Sequence, residues 1–345
     1  MKRLVILIFA LGLLVSACGS KTVDHISDTE SEDTSLTPDE SAASKPEISL
    51  PESSAEESEA ESSAEESKPE SQREPILPLI QNHSGLVGYG DLEKEEYSAA
   101  LADLEAKLAS YDNTISFVVY SIDNSKAISY NTEARIFCAS AIKAPFAYFA
   151  CTVMEELDIP LSTETVYKKE HYETGTGDLQ YQPVGSVFTL ETVISKAMSI
   201  SDNVGYNMTV DYFGRENYNL WAEDLGIESL TVAPTVWSLK ASALDFAKAW
   251  GEMYKYFGTD SEYANFLYNS CTNTGSNFAT QMLDKSYSHK QGHNRSGGWH
   301  SYTDAGIVWD GEESYIFAIL SDIPGPNATG ERMMEDIMTV IDELF

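Results

Sequence analysis

The sequence predicts an α+β fold: an antiparallel sheet built from the N- and C-terminal segments of one domain, flanked by helices, with an all-helical lobe inserted between. Three observations predict it. From about residue 90 onward the hydrophobic periodicity runs helix, strands, several helices, strands, helix, the order of a chain whose two ends share a sheet. Turn signals Asp123-Asn124-Ser125 and Asp310-Gly311 separate β-type runs, one near each end. Hydrophobic residues at 42% and aromatics at 11% are enough for a substantial core.

In chain order, residues 92–108 are rich in Ala, Leu and Glu with apolar positions at helical spacing, and predict a helix. Short β-type runs follow at 115–121 (ISFVVYS) and 127–130 (AISY). Residues 141–157 are apolar and helical in character, and 188–198 and 241–256 predict two further helices. Strands are expected at 305–309 (AGIVW) and 314–320 (SYIFAIL), and a last helix over 331–344.

Two segments stand apart upstream. Lys2 and Arg3 precede an apolar run over 4–14, too short for a membrane span of roughly 20 residues but suited to a secretory signal. The small residues Val15-Ser16-Ala17 before Cys18 resemble a bacterial lipobox. That resemblance implies a signal over 1–18, lipidation of Cys18, and an extracytoplasmic protein anchored to the membrane by its lipid. Residues 19–78 are Ser, Glu, Pro and Ala, with a nine-residue repeat at 52–60 and 61–69. Such sequence buries too little apolar surface to offset its ordering entropy, so a disordered acidic tether is expected. The domain proper then spans 79–345. Its cysteines, Cys138, Cys151 and Cys271, are odd in number, so at most one disulfide can form; which pair is left open.

The net charge of -33 excludes one class of function. Residues 19–74 hold 17 acids and 4 bases, and the domain still carries about -22. Such a body cannot neutralise a run of phosphates, so nucleic-acid binding is not expected. Attraction to anionic lipid is disfavoured as well. Any anion-binding site on so acidic a body must therefore make a local positive focus, for which Lys143, Lys290 and Arg295 are the candidates.

Three short motifs carry the chemistry. Ser140-Ala141-Ile142-Lys143 stands at the start of the 141–157 helix. The Ser hydroxyl there lies near unpaired N–H groups, and Lys one turn on shares its face. A desolvated Lys loses its proton more readily and can serve as base. Ser201-Asp202-Asn203 follows the 188–198 helix, and Lys290-Gln291-Gly292 precedes the terminal strands, where Gly permits close backbone approach. Each motif alone is weak. In this order, with Lys143-Ala-Pro-Phe, the 190–207 segment (LETVISKAMSISDNVGYN) and 303–308 (TDAGIV) around them, the chain resembles the class A β-lactamase-like, penicillin-interacting serine hydrolases.

The resemblance covers nearly all of 90–345. It implies a β-lactamase/transpeptidase-like fold and acyl transfer at a C–N amide bond, without metal or cofactor. Ser140 is then the acylated nucleophile and Lys143 its base. Ser201 passes a proton to the leaving nitrogen, and Asn203 positions the substrate amide and Lys143. Lys290, Gln291, Gly292 and His293 line the substrate side, with the N–H groups of Ser140 and His293 as oxyanion donors. The expected partner is a β-lactam or a peptidoglycan stem peptide, bound by a monomer.

The chain departs from the family pattern twice. Gln291 stands where Thr or Ser is usual. The interval 225–240, where the family carries a water-activating Glu, holds only Glu228, whose surroundings read as a solvated face. Without such a base an acyl-enzyme should hydrolyse slowly. Family precedent makes β-lactam hydrolysis the leading expectation, while the shortened interval keeps a D,D-peptidase as the enzyme alternative, and a non-catalytic cell-wall-binding lipoprotein is the rival from another class. His289 and His293 share one face of an expected strand without a third ligand. His300 reads as a polar loop residue, and 173–178 (ETGTGD) as a connecting loop.

Overall fold

A computed structural model of the chain describes residues 75–233, 240–275 and 277–345. Cys18 and the segments expected as a signal and a tether, up to residue 74, lie outside the described residues, as do residues 234–239 of the interval where a water-activating Glu is usual.

The main sheet has six antiparallel strands in the order β1-β3-β2-β10-β9-β8. They are β1 (Leu86–Gly90), β2 (Ile115–Ser121), β3 (Lys126–Tyr130), β8 (Ser286–Asn294), β9 (Ser301–Trp309) and β10 (Tyr315–Ser321). β2 beside β10 joins the two halves of the chain, with Val119 opposite Phe317 and Ile115 opposite Ser321. Every residue of β2, β9 and β10 is buried, because both faces of the sheet are covered. On one face, Ile115, Phe117, Val119, Phe317 and Ile319 pack with Met333, Met334, Ile337 and Ile341 of α8 (Ala328–Leu344) and Leu104 of α1 (Ser98–Leu108). Alternate residues point the other way, as the strand pleat requires. There Tyr120 and Ile316 meet α6 (Ala243–Phe257), and a Cβ on Gly251 would fall 2.4 Å from the Tyr120 hydroxyl.

Between the sheet halves lie α2 (Lys143–Glu156), α3 (Leu190–Ser199), α4 (Asn203–Phe213), α5 (Arg215–Asp224), α6 and α7 (Glu262–Thr272). Two short antiparallel pairs tie them down: β4 (Ile136–Phe137) with β7 (Lys240–Ala241), and β5 (Glu164–Val166) with β6 (Val187–Thr189). The expected α+β architecture with a helical insertion is what the chain forms.

Local chemistry moved several boundaries. The helix expected at 188 starts at Leu190 because Thr189 is its N-cap, accepting from the Thr192 amide at 3.1 Å. Ser242 and Asn327 likewise cap α6 and α8, so the last helix begins before 331. The 92–108 helix is two 3-10 turns followed by α1. Asp310-Gly311 does join two paired strands, through a 3-10 turn over Gly311–Glu313. β1, the short strands β4 to β7, α5 and α7 have no counterpart among the sequence expectations; the strand expected around His289 and His293 is β8 (SYSHKQGHN), although it shows no apolar alternation, and α5 is mostly polar. Cys138, Cys151 and Cys271 are buried, and no disulfide joins any two of them.

Candidate active site

Ser140 sits in a 3-10 turn, Ala139–Ile142, that runs directly into α2. The turn is entered through Ala139 at φ 45°, and Ser201 on the facing wall has φ 56°. Left-handed backbone at non-glycine residues costs on the order of 1–3 kcal/mol each and persists only where the surroundings impose it. At Ser140 the surroundings are β8. A Cβ on Gly292 would lie 2.2 Å from Cys138 O, 2.7 Å from Ala141 N and 2.8 Å from Ser140 N. Only glycine lets the strand approach the nucleophile turn this closely, bringing the backbone on either side of Gly292 beside the Ser140 amide.

Lys143, in the first turn of α2, is 1% exposed. Its Nζ donates to Ser201 O at 2.6 Å and Asn203 Oδ1 at 2.9 Å, and lies 3.1 Å from Ser201 Oγ. Burial is the main cause, and the nearby Lys290 charge the second, that pulls the Lys143 pKa well below the usual lysine value. Lys290, fully buried on β8, places Nζ 3.2 Å from the same Ser201 Oγ and donates to Gln291 O and Gln291 Oε1 at 3.1 Å. Burial lowers its pKa to about 8, opposed by the Asp304 charge. Ser201 Oγ is therefore bracketed by two lysine nitrogens. With Gln291 Oε1 turned to Lys290, its amide nitrogen supplies donor chemistry where a Thr or Ser hydroxyl is usual.

Ser201-Asp202-Asn203 forms the hinge between α3 and α4. Asp202 is buried and caps α4, its Oδ1 accepting from Gly205 N at 2.8 Å; Oδ2 accepts from Leu179 N at 2.9 Å. Asn203 divides its amide: Oδ1 faces Lys143, while Nδ2 donates to Thr174 O at 2.9 Å and keeps a second N–H for other use.

These side chains converge on one cleft of about 640 Å³, whose walls include Ser140, Ser201, Asn203, Gln291, Gly292 and His293. Lys143 and Lys290 lie just behind the wall, within reach of Ser201. The upper lip is apolar: Phe137 packs edge-on against Trp299, which is 43% exposed, with Ile200 nearby in the lining. His293 titrates below the ordinary histidine range because of partial burial and the charges of Lys290 and Arg295.

Arg295 turns outward, donating to Pro326 O at 2.6 Å, so the positive focus rests on the two lysines. Glu228 is exposed and takes no part in the cleft lining. His289, fully buried, is held by Asp304 at 2.8 Å and by Thr274, and does not share the exposure of His293. The 173–178 segment is more than a connecting loop. Glu173, Thr174, Gly175 and Thr176 form one wall of the cleft. No motif in the segment marks it; the one available signal is Gly175 and Gly177, whose φ values of 119° and 94° press the chain onto Asn203 and Asp202.

A serine at a helix entrance, a buried lysine one turn on, a Ser-Asp-Asn hinge and a Lys-x-Gly edge strand define the β-lactamase and penicillin-binding class of serine hydrolase fold. The chain belongs to the beta-lactamase enzyme family, whose description matches residues 97–344. Among solved structures, PBP-A aligns with a TM-score of 0.64 at 19% identity, covering 72% of this chain and 96% of that one. A single-residue mutant of PBP-A, solved as an acyl-enzyme complex with penicillin G, aligns with a TM-score of 0.63 at 19% identity, covering 71% and 97%. A β-lactamase from Sphaerobacter thermophilus aligns with a TM-score of 0.61 at 18% identity, covering 72% and 95%. No curated protein sequence matches the chain significantly.

Proposed function

We propose that this protein is a serine β-lactamase that acylates Ser140 with a β-lactam amide and then hydrolyses the ester. The observation that carries the reading is the environment of Lys143. A lysine this buried, beside a second buried lysine, sheds its proton far more readily than an ordinary lysine and is suited to act as a base one helical turn from Ser140. In the proposed sequence Lys143 takes the Ser140 proton as Oγ attacks the lactam carbonyl. The developing oxyanion is met by the Ser140 and His293 amides, whose approach Gly292 allows. The C–N bond breaks as Ser201 Oγ passes a proton to the leaving nitrogen, and the adjacent lysines stabilise Ser201 in this role. Lys290 and Gln291 are suited to the substrate carboxylate, and the Asn203 amide to the side-chain carbonyl.

The test is to incubate the full chain with benzylpenicillin and follow the mass of the Ser140 peptide over time. A transient adduct that is absent in Ser140→Ala is expected. No adduct in the wild-type protein, or an equal one in Ser140→Ala, overturns the reading. A persistent adduct favours a D,D-peptidase. The proposal extends to location: Cys18 carries the lipid that tethers the domain outside the cytoplasm. Radioactive palmitate should label the wild-type chain and not Cys18→Ala; equal labelling rejects the anchor.

A further inference from the structure

The interval that should supply a water-activating carboxylate offers only Glu228, which is exposed and does not line the cleft. Among the described lining residues the one carboxylate is Glu173, which enters from the opposite direction in the chain, on the connection between α2 and α3. Its position is held on both sides. Just upstream, Asn207 of α4 donates to His171 O at 3.2 Å. Through the same Nδ2, Asn207 donates to Glu173 Oε2 at 3.1 Å, holding one oxygen of the carboxylate. Downstream, Thr174 O receives the Asn203 amide, Thr176 Oγ1 donates to Ser201 O at 2.6 Å, and Leu179 N is bound by Asp202. The wall carrying Glu173 is thus fastened to all three residues of the Ser201-Asp202-Asn203 hinge. The half-buried Glu173 carboxylate is also near enough to Lys143 for its charge to favour the protonated lysine.

We propose that Glu173 is the general base of deacylation, a catalytic residue supplied by the α2–α3 connection. This rests on the acyl-enzyme reading above. A water between Glu173 and the Ser140 ester gives one proton to the carboxylate as its oxygen bonds to the acyl carbon. The tetrahedral intermediate collapses, the bond from the acyl carbon to Ser140 Oγ breaks, and Oγ recovers that proton from Glu173. The product leaves as a carboxylic acid and ionises in solvent. No further reactant is required. The geometry suits the step because the carboxylate is aimed by a side-chain amide and sits in the cleft that Ser140 lines.

The experiment measures acylation and deacylation separately by quenched-flow mass spectrometry of the full chain with benzylpenicillin. Glu173→Gln keeps the shape and the site of the Asn207 contact. It should acylate within about threefold of wild type and deacylate at least 100-fold more slowly, the lower end for loss of a general base. Asn207→Ala, which frees the carboxylate without removing it, should slow deacylation by about tenfold. Equal melting temperatures of wild type and Glu173→Gln would confirm that the fold is retained. Wild-type deacylation in Glu173→Gln, or an equal fall in both steps, overturns the assignment while leaving acylation by Ser140 intact. Absence of any wild-type adduct removes the acyl-enzyme reading itself, and this assignment with it.

Discussion

Gly292 lies so close to Ser140 that a single added carbon would stand 2.8 Å from the Ser140 amide nitrogen and 2.2 Å from Cys138 O. The edge strand β8 and the turn that carries Ser140 are in backbone contact, the close approach that the proposed pair of oxyanion donors needs.

The first prediction follows from that contact. Gly292→Ala should reduce acylation of Ser140 by benzylpenicillin at least 100-fold, the scale of losing an oxyanion donor. Stability should fall by about 1–3 kcal/mol from overpacking. Adduct formation and chemical denaturation measure the two; normal acylation would show that β8 can retreat without cost to the site.

The two lysines predict the pH dependence. Acylation requires neutral Lys143, so its kcat/KM rises with pH through the depressed Lys143 pKa. It requires charged Lys290, so it falls as pH passes about 8. Lys290→Arg, which stays charged, should move the alkaline limb upward. Stability has the opposite sign at high pH. Between about 8, where folded Lys290 titrates, and roughly 10.4, its value in an unfolded chain, the unfolded state binds more protons, so stability rises with pH. A flat denaturation midpoint across this window would contradict burial of the Lys290 charge.

Asp202 holds two buried amides, Gly205 N and Leu179 N. Asp202→Ala leaves both without a partner and should destabilise the domain by about 3 kcal/mol. Hydrogen exchange should rise in 173–179 more than in β2 or β10. Uniform exchange would mean that the 173–178 wall does not depend on this clamp.

His289 and Asp304 form a buried pair that reaches Thr274, next to the cleft residue Gly275. Asp304 also accepts from Phe278 N and Ala279 N at 3.0 Å. His289→Phe keeps the volume but strips the carboxylate of its imidazole. A loss of about 1–3 kcal/mol is expected in urea denaturation, the scale of leaving a buried acceptor short of one hydrogen-bond donor. A change under about 1 kcal/mol would show that the two amides suffice for Asp304.

Much of the fold was legible because its strongest elements are local. The run ISFVVYS became β2 at the residues expected, and apolar spacing located α2, α6 and α8 to within a few residues. The ends that shifted did so at caps, where one Thr, Ser or Asn side chain outweighs periodicity. β8 shows only in its short motif and not in its periodicity: His289, Lys290 and Gln291 are buried with polar partners, and alternation is lost.

The sequence by itself determined the class of chemistry: Ser140, Lys143, Ser201, Asn203 and Lys290 are recognisable by order and spacing, and they meet at one cleft. It also determined an acidic body whose positive charge had to be concentrated at a site. Tertiary structure alone decided which charges serve. Arg295 turns out to solvent, Glu228 stands on the surface, and Glu173, in a segment without a motif, is drawn into the cleft wall. The physical reason is that helix spacing and capping act over a few residues. The placement of Glu173 depends on hydrogen bonds to residues about 30 positions away, which only the folded chain brings together.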